Sequence, residues 1–243
     1  MAEYPQNGNY TRDLNELLKN QTDRMSNQTH SIRKMKVWYA TVRVSTILKR
    51  FFDITISLAG LVLLMPLFVL VAVLIKLTSP GPIFFVQYRV GRYGRHFRFF
   101  KFRSMYVDAE KRKKALLASN QSGDGVIFKM KNDPRITPIG KILRKTSFDE
   151  MPQLVNVLCG DMSLVGPRPP LPSEVAQYTL EDRKRLNVKP GLTCLWQIQG
   201  RSDIPFKKQV KLDLEYIQSS TLRQDLLILL KTIPAIISGR GAY

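Results

Sequence analysis

The sequence predicts an α+β fold that is mostly helical, with one apolar membrane helix and one short β-hairpin. Two observations support this prediction. The segment from Ile54 to Ile75 contains no charged residue and is long enough to cross a bilayer as a helix. Residues 96–103 mix basic and aromatic side chains in a nearly alternating order, which is typical of a strand with two different faces.

The composition favours a polyanionic partner and argues against histidine or cysteine chemistry. The 243 residues include 38 Lys and Arg but 19 Asp and Glu, a formal net charge of +19. Such a charge attracts nucleic acid, anionic membranes or phosphorylated substrates. The histidines are His30 and His96, and the two cysteines, Cys159 and Cys194, form no C-x-x-C motif. A histidine-based triad, a zinc site and a disulfide framework are therefore not expected.

The polar composition of residues 1–45 predicts a loosely ordered N-terminal arm. They are rich in Asn, Gln, Thr and Ser, and large apolar groups are sparse before Trp38 and Tyr39. A secretory signal is not expected, because no apolar core follows a short basic start.

The apolar composition of residues 46–78 predicts a membrane helix. Two topologies are consistent with this prediction. A straight span is the default for such an apolar run. Pro66, however, lies in its middle, where a proline removes a backbone hydrogen bond and bends the helix. Both flanks are also basic, with Lys49 and Arg50 before the segment and Lys76 and Arg89 after it. The positive-inside rule places both flanks in the cytoplasm only if the helix is re-entrant.

Residues 79–243 predict a compact domain. The Thr78–Pro82 segment ends the membrane helix, and strands at 83–87 and 96–103 form a hairpin around a basic turn. The apolar stripe of the last helix and the basic amphipathic helix at 139–145 are expected at a core or a membrane interface. The predicted helices cover residues 108–119, 139–145, 173–188, 206–216 and 221–237.

The candidate site lies between Lys145 and Pro170. Asp149 and Glu150 precede Pro152, and proline is tolerated in the first helical turn, so a helix is predicted to start near Asp149. Capping is one interpretation, because Ser147 and Glu150 fit the S-x-x-E pattern. Phosphate and Mg²⁺ binding is the other, because the nearby Arg168 is held between two prolines.

Six sequence strings carry a resemblance to a known family. They are KRFFD before the apolar helix, TSPGPIFFVQYRVG, KFRSM, DEMPQLVNVLCGDMSLVGPRP, KPGLT and QGRSD. From Leu48 to the C-terminus the chain resembles the monotopic phosphoglycosyl transferases, also called bacterial sugar transferases. Two departures are Met65, where some members have serine before the proline, and Cys194, where glycine is frequent.

The resemblance implies a re-entrant membrane helix bent at Pro66, with amphipathic interfacial helices around a small cytoplasmic catalytic domain. It implies transfer of a sugar 1-phosphate from a UDP-sugar to undecaprenyl phosphate with release of UMP, at the cytoplasmic face of the bacterial inner membrane. Asp149 corresponds to the covalent nucleophile and Mg²⁺ ligand, and Glu150 to its partner. The residues that correspond to substrate-binding positions are Lys101, Arg103, Arg168 and Arg201.

Two other functions are alternatives to a phosphoglycosyl transferase. A membrane-anchored basic module that binds nucleic acid or anionic lipid would explain the charge and the 95–103 stretch, but it gives Asp149 and Glu150 no role. A structural partner of a polysaccharide-export complex would turn over no substrate. The transferase is preferred, with membrane lipids as partners, no nucleic acid, and a homodimer left open. Its step would be the first membrane step of exopolysaccharide, O-antigen or glycoconjugate synthesis.

Overall fold

The computed structural model describes residues 8–116, 130 and 132–238, with side chains from residue 34 onward except at 113, 114, 202, 237 and 238. The chain divides into two compact units, residues 1–48 and residues 49–243. The predicted boundary between residues 45 and 46 lies close to this division. Helix α1 runs from Gly8 to Thr78 and is assigned as helical through Pro66. In the first unit, the described side chains of residues 34–48 are all exposed.

The part of α1 in the second unit has one face packed on the domain and one face exposed. Asp53, Ser57, Val71 and Ile75 are buried, and their spacing of about one helical turn or a multiple of it places them on one stripe. Apolar side chains on the other faces, such as that of Leu63, remain exposed. Residues 34–78 are, within the described part of the chain, the stretch that is long and apolar enough to cross a membrane.

The predicted hairpin is confirmed. Strand β1 covers Phe84–Val90 and strand β2 covers His96–Phe102, and a 3-10 turn at Arg92–Gly94 joins them. The strands are antiparallel, so that the first residue of β1 lies opposite the last residue of β2. Phe97 and Phe99 are buried because they project from the same face of β2 into the main core.

The main core joins the hairpin to the centre of the domain. Its buried members include Phe99 of β2 and, from later in the chain, Val157, Val165 and Tyr216. A second cluster joins α1 to the hairpin through Val71, Ile75, Phe102 and Leu143. Strands β3 (Ser163–Val165) and β4 (Gly191–Thr193) form a short parallel pair.

The remaining elements are short except for the last two helices. In chain order they are α2 Ala109–Leu116, α3 Pro138–Lys145, a 3-10 turn Phe148–Glu150, α4 Gln153–Cys159, β3 Ser163–Val165, α5 Pro172–Val175, α6 Leu180–Arg183, a 3-10 turn Lys184–Asn187, β4 Gly191–Thr193, α7 Leu195–Gln199, a 3-10 turn Arg201–Asp203, α8 Phe206–Ser219 and α9 Leu222–Ser238. Residues 117–119 of the predicted helix at 108–119 lie outside the described residues.

The single helix predicted at 173–188 is wrong. The chain forms α5, α6 and a 3-10 turn there. Thr179 is the cause, because its backbone N–H and hydroxyl bind the Asp182 carboxylate while its Oγ accepts from the Asp182 N–H. This reciprocal cap starts a new helix in the middle of the predicted one.

Candidate active site

The two acidic residues are carried on a tight turn that β2 holds in place. Asp149 and Glu150 lie in the 3-10 turn before α4, and the Asp149 side chain is buried. Asn156 of α4 ties this region to β2, because its side chain accepts from the Phe100 N–H at 3.2 Å and donates to the Arg98 carbonyl at 2.6 Å. Pro152 directly precedes the first residue of α4, where a missing N–H costs nothing.

The predicted cap by Ser147 is not formed. Ser147 has a φ of 55°, in the left-handed region that favours glycine, and its side chain makes no capping hydrogen bond. Its hydroxyl accepts instead from an Arg201 Nη at 3.2 Å. Arg201 also has a left-handed φ, of 49°. Two strained residues in contact beside the carboxylates are typical of a functional site rather than of a helix end.

Glu150 is held by two cations. The Lys101 Nζ lies 2.6 Å from one Glu150 carboxylate oxygen and 3.7 Å from the Asp149 carboxylate. Arg168 Nη1 lies 3.1 Å from the same Glu150 oxygen. Lys101 reaches the pair because it follows Phe99 by two positions in β2 and so projects from the same face of the strand.

The loop that carries Arg168 is fixed through its carbonyl groups. The Pro167 carbonyl accepts from the Gly191 N–H at 2.9 Å. A side chain at Gly191 would place its Cβ 2.0 Å from the Gly166 nitrogen, so the close approach requires glycine there. Arg89 donates to the Pro169 carbonyl at 3.1 Å. Burial, followed by repulsion from Arg168, lowers the pKa of Arg89 to about 10.

The two neighbouring carboxyl groups have opposite pKa shifts. Burial raises the pKa of Asp149 above its ordinary value and outweighs the attraction of Lys101. Burial acts in the same direction on Glu150, but Lys101 and Arg168 outweigh it and hold the Glu150 pKa below its ordinary value. Burial lowers the pKa of Lys101. A proton therefore binds Asp149 before Glu150, and Glu150 stays ionised at neutral pH.

Asp149 is the carboxylate with free oxygen lone pairs for a cation or a substrate. Within residues 34–116 and 132–238, apart from the undescribed side chains, no group donates a hydrogen bond to it, and Lys101 is its ion-pair partner at 3.7 Å. No cluster of three or more His, Cys, Asp or Glu occurs in this described part. One carboxylate with phosphate and water ligands is a common arrangement for Mg²⁺, so the donor set fits that ion.

The carboxylates open into a cavity of about 680 Å³ that is lined by more basic than acidic side chains. Its basic lining residues are Arg89, Lys101, Arg135, Arg144, Arg168, Arg185 and Arg201, of which Arg135 and Arg185 form ion pairs with Asp133 and Asp213. Three of the predicted cations, Lys101, Arg168 and Arg201, are thus brought together with Asp149 and Glu150. A cavity with this lining is suited to bind a phosphorylated ligand.

Arg144 lines the cavity, although the sequence predicts only a basic amphipathic helix at its position. Its Nε donates to the Ser104 Oγ at 3.2 Å. Helix α3 can approach Ser104 because Gly140 lies against it; an added Cβ there would be 1.9 Å from the Ser104 carbonyl oxygen. Its position five residues before Asp149 was the available sequence signal.

The prediction that Arg103 binds substrate is not supported by its position. Its guanidinium donates to the Ser79 carbonyl at 2.7 Å and to the Pro80 carbonyl, beyond the end of α1. Strand β2 ends at Phe102, so Arg103 no longer follows the alternation that directs Lys101 to the cavity. Arg103 therefore binds the segment that joins α1 to β1.

Comparison with known proteins decides the family. Residues 44–239 match the model of the bacterial sugar transferase family. The chain belongs to this family. The transferase is 50% identical over 197 residues to galactosyl transferase CpsE of Streptococcus agalactiae, and 40% identical over 203 residues to exopolysaccharide production protein ExoY of Sinorhizobium fredii. It is 43% identical over 205 residues to undecaprenyl-phosphate galactose phosphotransferase of Salmonella typhimurium.

These matches cover 81%, 82% and 83% of the transferase, respectively. They cover 90% of ExoY but 43% of CpsE and 43% of the Salmonella protein. The transferase therefore spans less than half the length of two of these relatives.

Proposed function

We propose that the transferase moves a sugar 1-phosphate from a UDP-sugar to undecaprenyl phosphate and releases UMP. The observation that carries the proposal is a pair of neighbouring carboxylates in a cavity lined by more basic than acidic side chains. Among the described residues no group donates a hydrogen bond to the buried Asp149, whereas Lys101 and Arg168 hold Glu150. The names of relatives agree, since they include undecaprenyl-phosphate galactose and glucose phosphotransferases. The reaction would be the first membrane step of exopolysaccharide, O-antigen or glycoconjugate synthesis.

Asp149 is the nucleophile in the proposed mechanism. Its carboxylate oxygen attacks the β-phosphorus of the UDP-sugar, and the bond from that phosphorus to the bridging oxygen breaks, so that UMP leaves with this oxygen. A phosphate oxygen of undecaprenyl phosphate then attacks the same phosphorus, and the bond to Asp149 breaks. The intermediate keeps two anionic substrates from having to react with each other directly.

The cations stabilise charge in both steps. Lys101 and Arg168 hold Glu150 ionised and line the cavity next to Asp149, where they face the transferring phosphoryl group. Asp149 is the residue that would hold Mg²⁺, and the bound ion would supply Lewis-acid stabilisation of charge at the phosphoryl group. It would also favour the ionised form of Asp149 over the protonated form that burial favours.

The transferase is proposed to lie at the cytoplasmic face of the inner membrane, with the apolar part of α1 re-entrant. Both ends of this part contact the same domain: Asp53 accepts from the Leu164 N–H at 2.9 Å, and Ile75 packs with Phe102. A helix that left the domain to cross the bilayer would break one of these contacts. Cysteines introduced at positions 10 and 240 would both resist an impermeant reagent in intact cells. Labelling of position 10 would contradict the re-entrant topology.

Pro66→Leu tests whether the proline is required for this topology. The substitution restores a backbone hydrogen bond and favours a straight spanning helix. Exposure of position 10 in this variant is the expected result. An unchanged labelling pattern would mean that the basic flanks and the packing on the domain determine the topology.

The activity test is incubation of the purified transferase with undecaprenyl phosphate, Mg²⁺ and one UDP-sugar at a time. UDP-galactose, UDP-glucose and UDP-N-acetylgalactosamine form the first panel, because relatives are named for these sugars. UMP release that is lost in Asp149→Asn and after EDTA treatment supports the proposal. Absence of UMP release with any UDP-sugar would favour a binding module instead.

A further inference from the structure

The cavity at Asp149 has an apolar wall that the chemistry of phosphoryl transfer does not use. Four of its residues, Leu226, Leu229, Leu230 and Ile233, belong to α9, and the fifth is Ile56 of α1. The α9 residues are spaced three, four and seven positions from Leu226, so they share one face of the helix. These five residues are called the apolar wall.

We propose that the apolar wall binds the first isoprene units of the lipid acceptor, next to its phosphate. The inference rests on the proposed function and adds to it the subsite that distinguishes the two substrates. A UDP-sugar carries no hydrocarbon chain that a leucine surface of this length would cover. A ligand with an anionic head and a long apolar chain matches both the cations and the apolar wall of the same cavity.

The exposure of the apolar wall is consistent with a missing apolar occupant. Leu230 is 64% exposed and Ile233 is 58% exposed, although both line the cavity. Each leucine or isoleucine covered by a hydrocarbon chain removes apolar surface from water, which favours binding.

The apolar wall also lies where a lipid chain could enter. Ile56 is the third residue of the uncharged segment that begins at Ile54. The cavity therefore reaches the first turn of this uncharged segment of α1. An acceptor could move from the lipid along the apolar wall to Asp149 without its chain crossing water.

Polar contacts hold α9 in the orientation that forms the apolar wall. In its first turn, Asp225 forms an ion pair with Lys49 of α1 and accepts from the Tyr216 hydroxyl at 2.7 Å. Farther along the helix, the hydroxyls of Thr232 and Thr193 are 2.8 Å apart. None of these contacts uses a residue of the apolar wall, and the side chains of the apolar wall therefore stay open to the cavity.

The test compares Leu230→Asn with Leu227→Asn in the full-length transferase. Leu227 is 47% exposed on the same helix but does not line the cavity, so it controls for general loss of apolar surface. Two rates are measured in each variant. One is exchange of labelled UMP into the UDP-sugar without acceptor, which requires the Asp149 step alone. The other is kcat/KM for undecaprenyl phosphate. Ile233→Asn repeats the test one turn away.

We expect Leu230→Asn and Ile233→Asn each to lower kcat/KM for undecaprenyl phosphate about tenfold, the effect of losing one well-buried apolar contact. The rate of UMP exchange in these two variants should stay within about twofold of wild type, which also shows that they fold. The control Leu227→Asn should change neither rate. An unchanged kcat/KM for undecaprenyl phosphate in both wall variants would overturn the inference. An equal loss of kcat/KM in Leu227→Asn would also overturn it, because it would indicate general contact with membrane phospholipid. A wild-type chain without UMP exchange would instead refute the proposed function, and the inference would fall with it.

Discussion

Replacement of Lys101 by methionine isolates the charge that links Asp149 and Glu150. Methionine keeps most of the side-chain length and removes the ammonium group. At an effective dielectric constant of about 20, the attractions over 2.6 Å to Glu150 and 3.7 Å to Asp149 are about 6 and about 4.5 kcal/mol. Much of this attraction offsets the cost of burying the lysine. Removing one member of a buried pair typically costs about 3–5 kcal/mol of stability.

The variant should be both less stable and less active. For a unit of this size, the expected loss of stability lowers Tm by about 6–20 °C. Loss of a charge positioned at the transferring phosphoryl group should lower kcat about 100- to 1000-fold. Thermal unfolding and UMP release measure the two effects. Lys101→Arg keeps the charge and should retain part of the activity, and Lys141→Met, at an exposed lysine of α3, should change neither quantity.

The pH dependence gives the sharpest check. Because the folded-state pKa of Glu150 lies below its ordinary value of 4.5, the contribution of Glu150 to stability is present above 4.5 and is lost as the pH falls toward the folded-state pKa. Without Lys101, burial dominates and the carboxyl pair takes up a proton at higher pH. The acid limb of UMP release should move up by at least about one pH unit. An unmoved acid limb with an unchanged Tm would refute this account of the site.

Three further substitutions separate stability from catalysis. Arg103→Met should lower Tm and leave kcat within about threefold of wild type, because the Arg103 guanidinium binds carbonyl groups outside the cavity. A large loss of kcat with a normal Tm would instead indicate that Arg103 binds substrate. Arg168→Met should lower kcat about 30- to 1000-fold and lower Tm less than Lys101→Met does, because the Arg168 side chain in its ion pair with Glu150 is 33% exposed. A fall in Tm as large as that of Lys101→Met would mark Arg168 as structural. Asp149→Asn should abolish UMP release and raise Tm, because the amide removes the cost of burying a carboxylate. Turnover in this variant would exclude the covalent mechanism.

Local sequence signals were sufficient for the apolar helix, for the β-hairpin and for part of the site. The absence of charge from Ile54 to Ile75 predicted the apolar helix, and the alternation at 96–103 predicted strand β2. Asp149 and Glu150 were placed by their position before Pro152. These signals work because strand alternation, proline geometry and burial of long apolar runs depend on neighbours in sequence.

Only the tertiary structure decided which distant side chains meet. Lys101 and Arg103 look equivalent in sequence, but the end of β2 between them directs the first to Glu150 and the second to the end of α1. Lys49 and Asp225 are 176 positions apart, and no local pattern predicts their contact. The sequence by itself determined the long apolar helix, the acidic pair and the excess of positive charge. The cavity and its apolar wall depend on how α1 and α9 pack, because packing brings together residues that have no periodic relation in the chain.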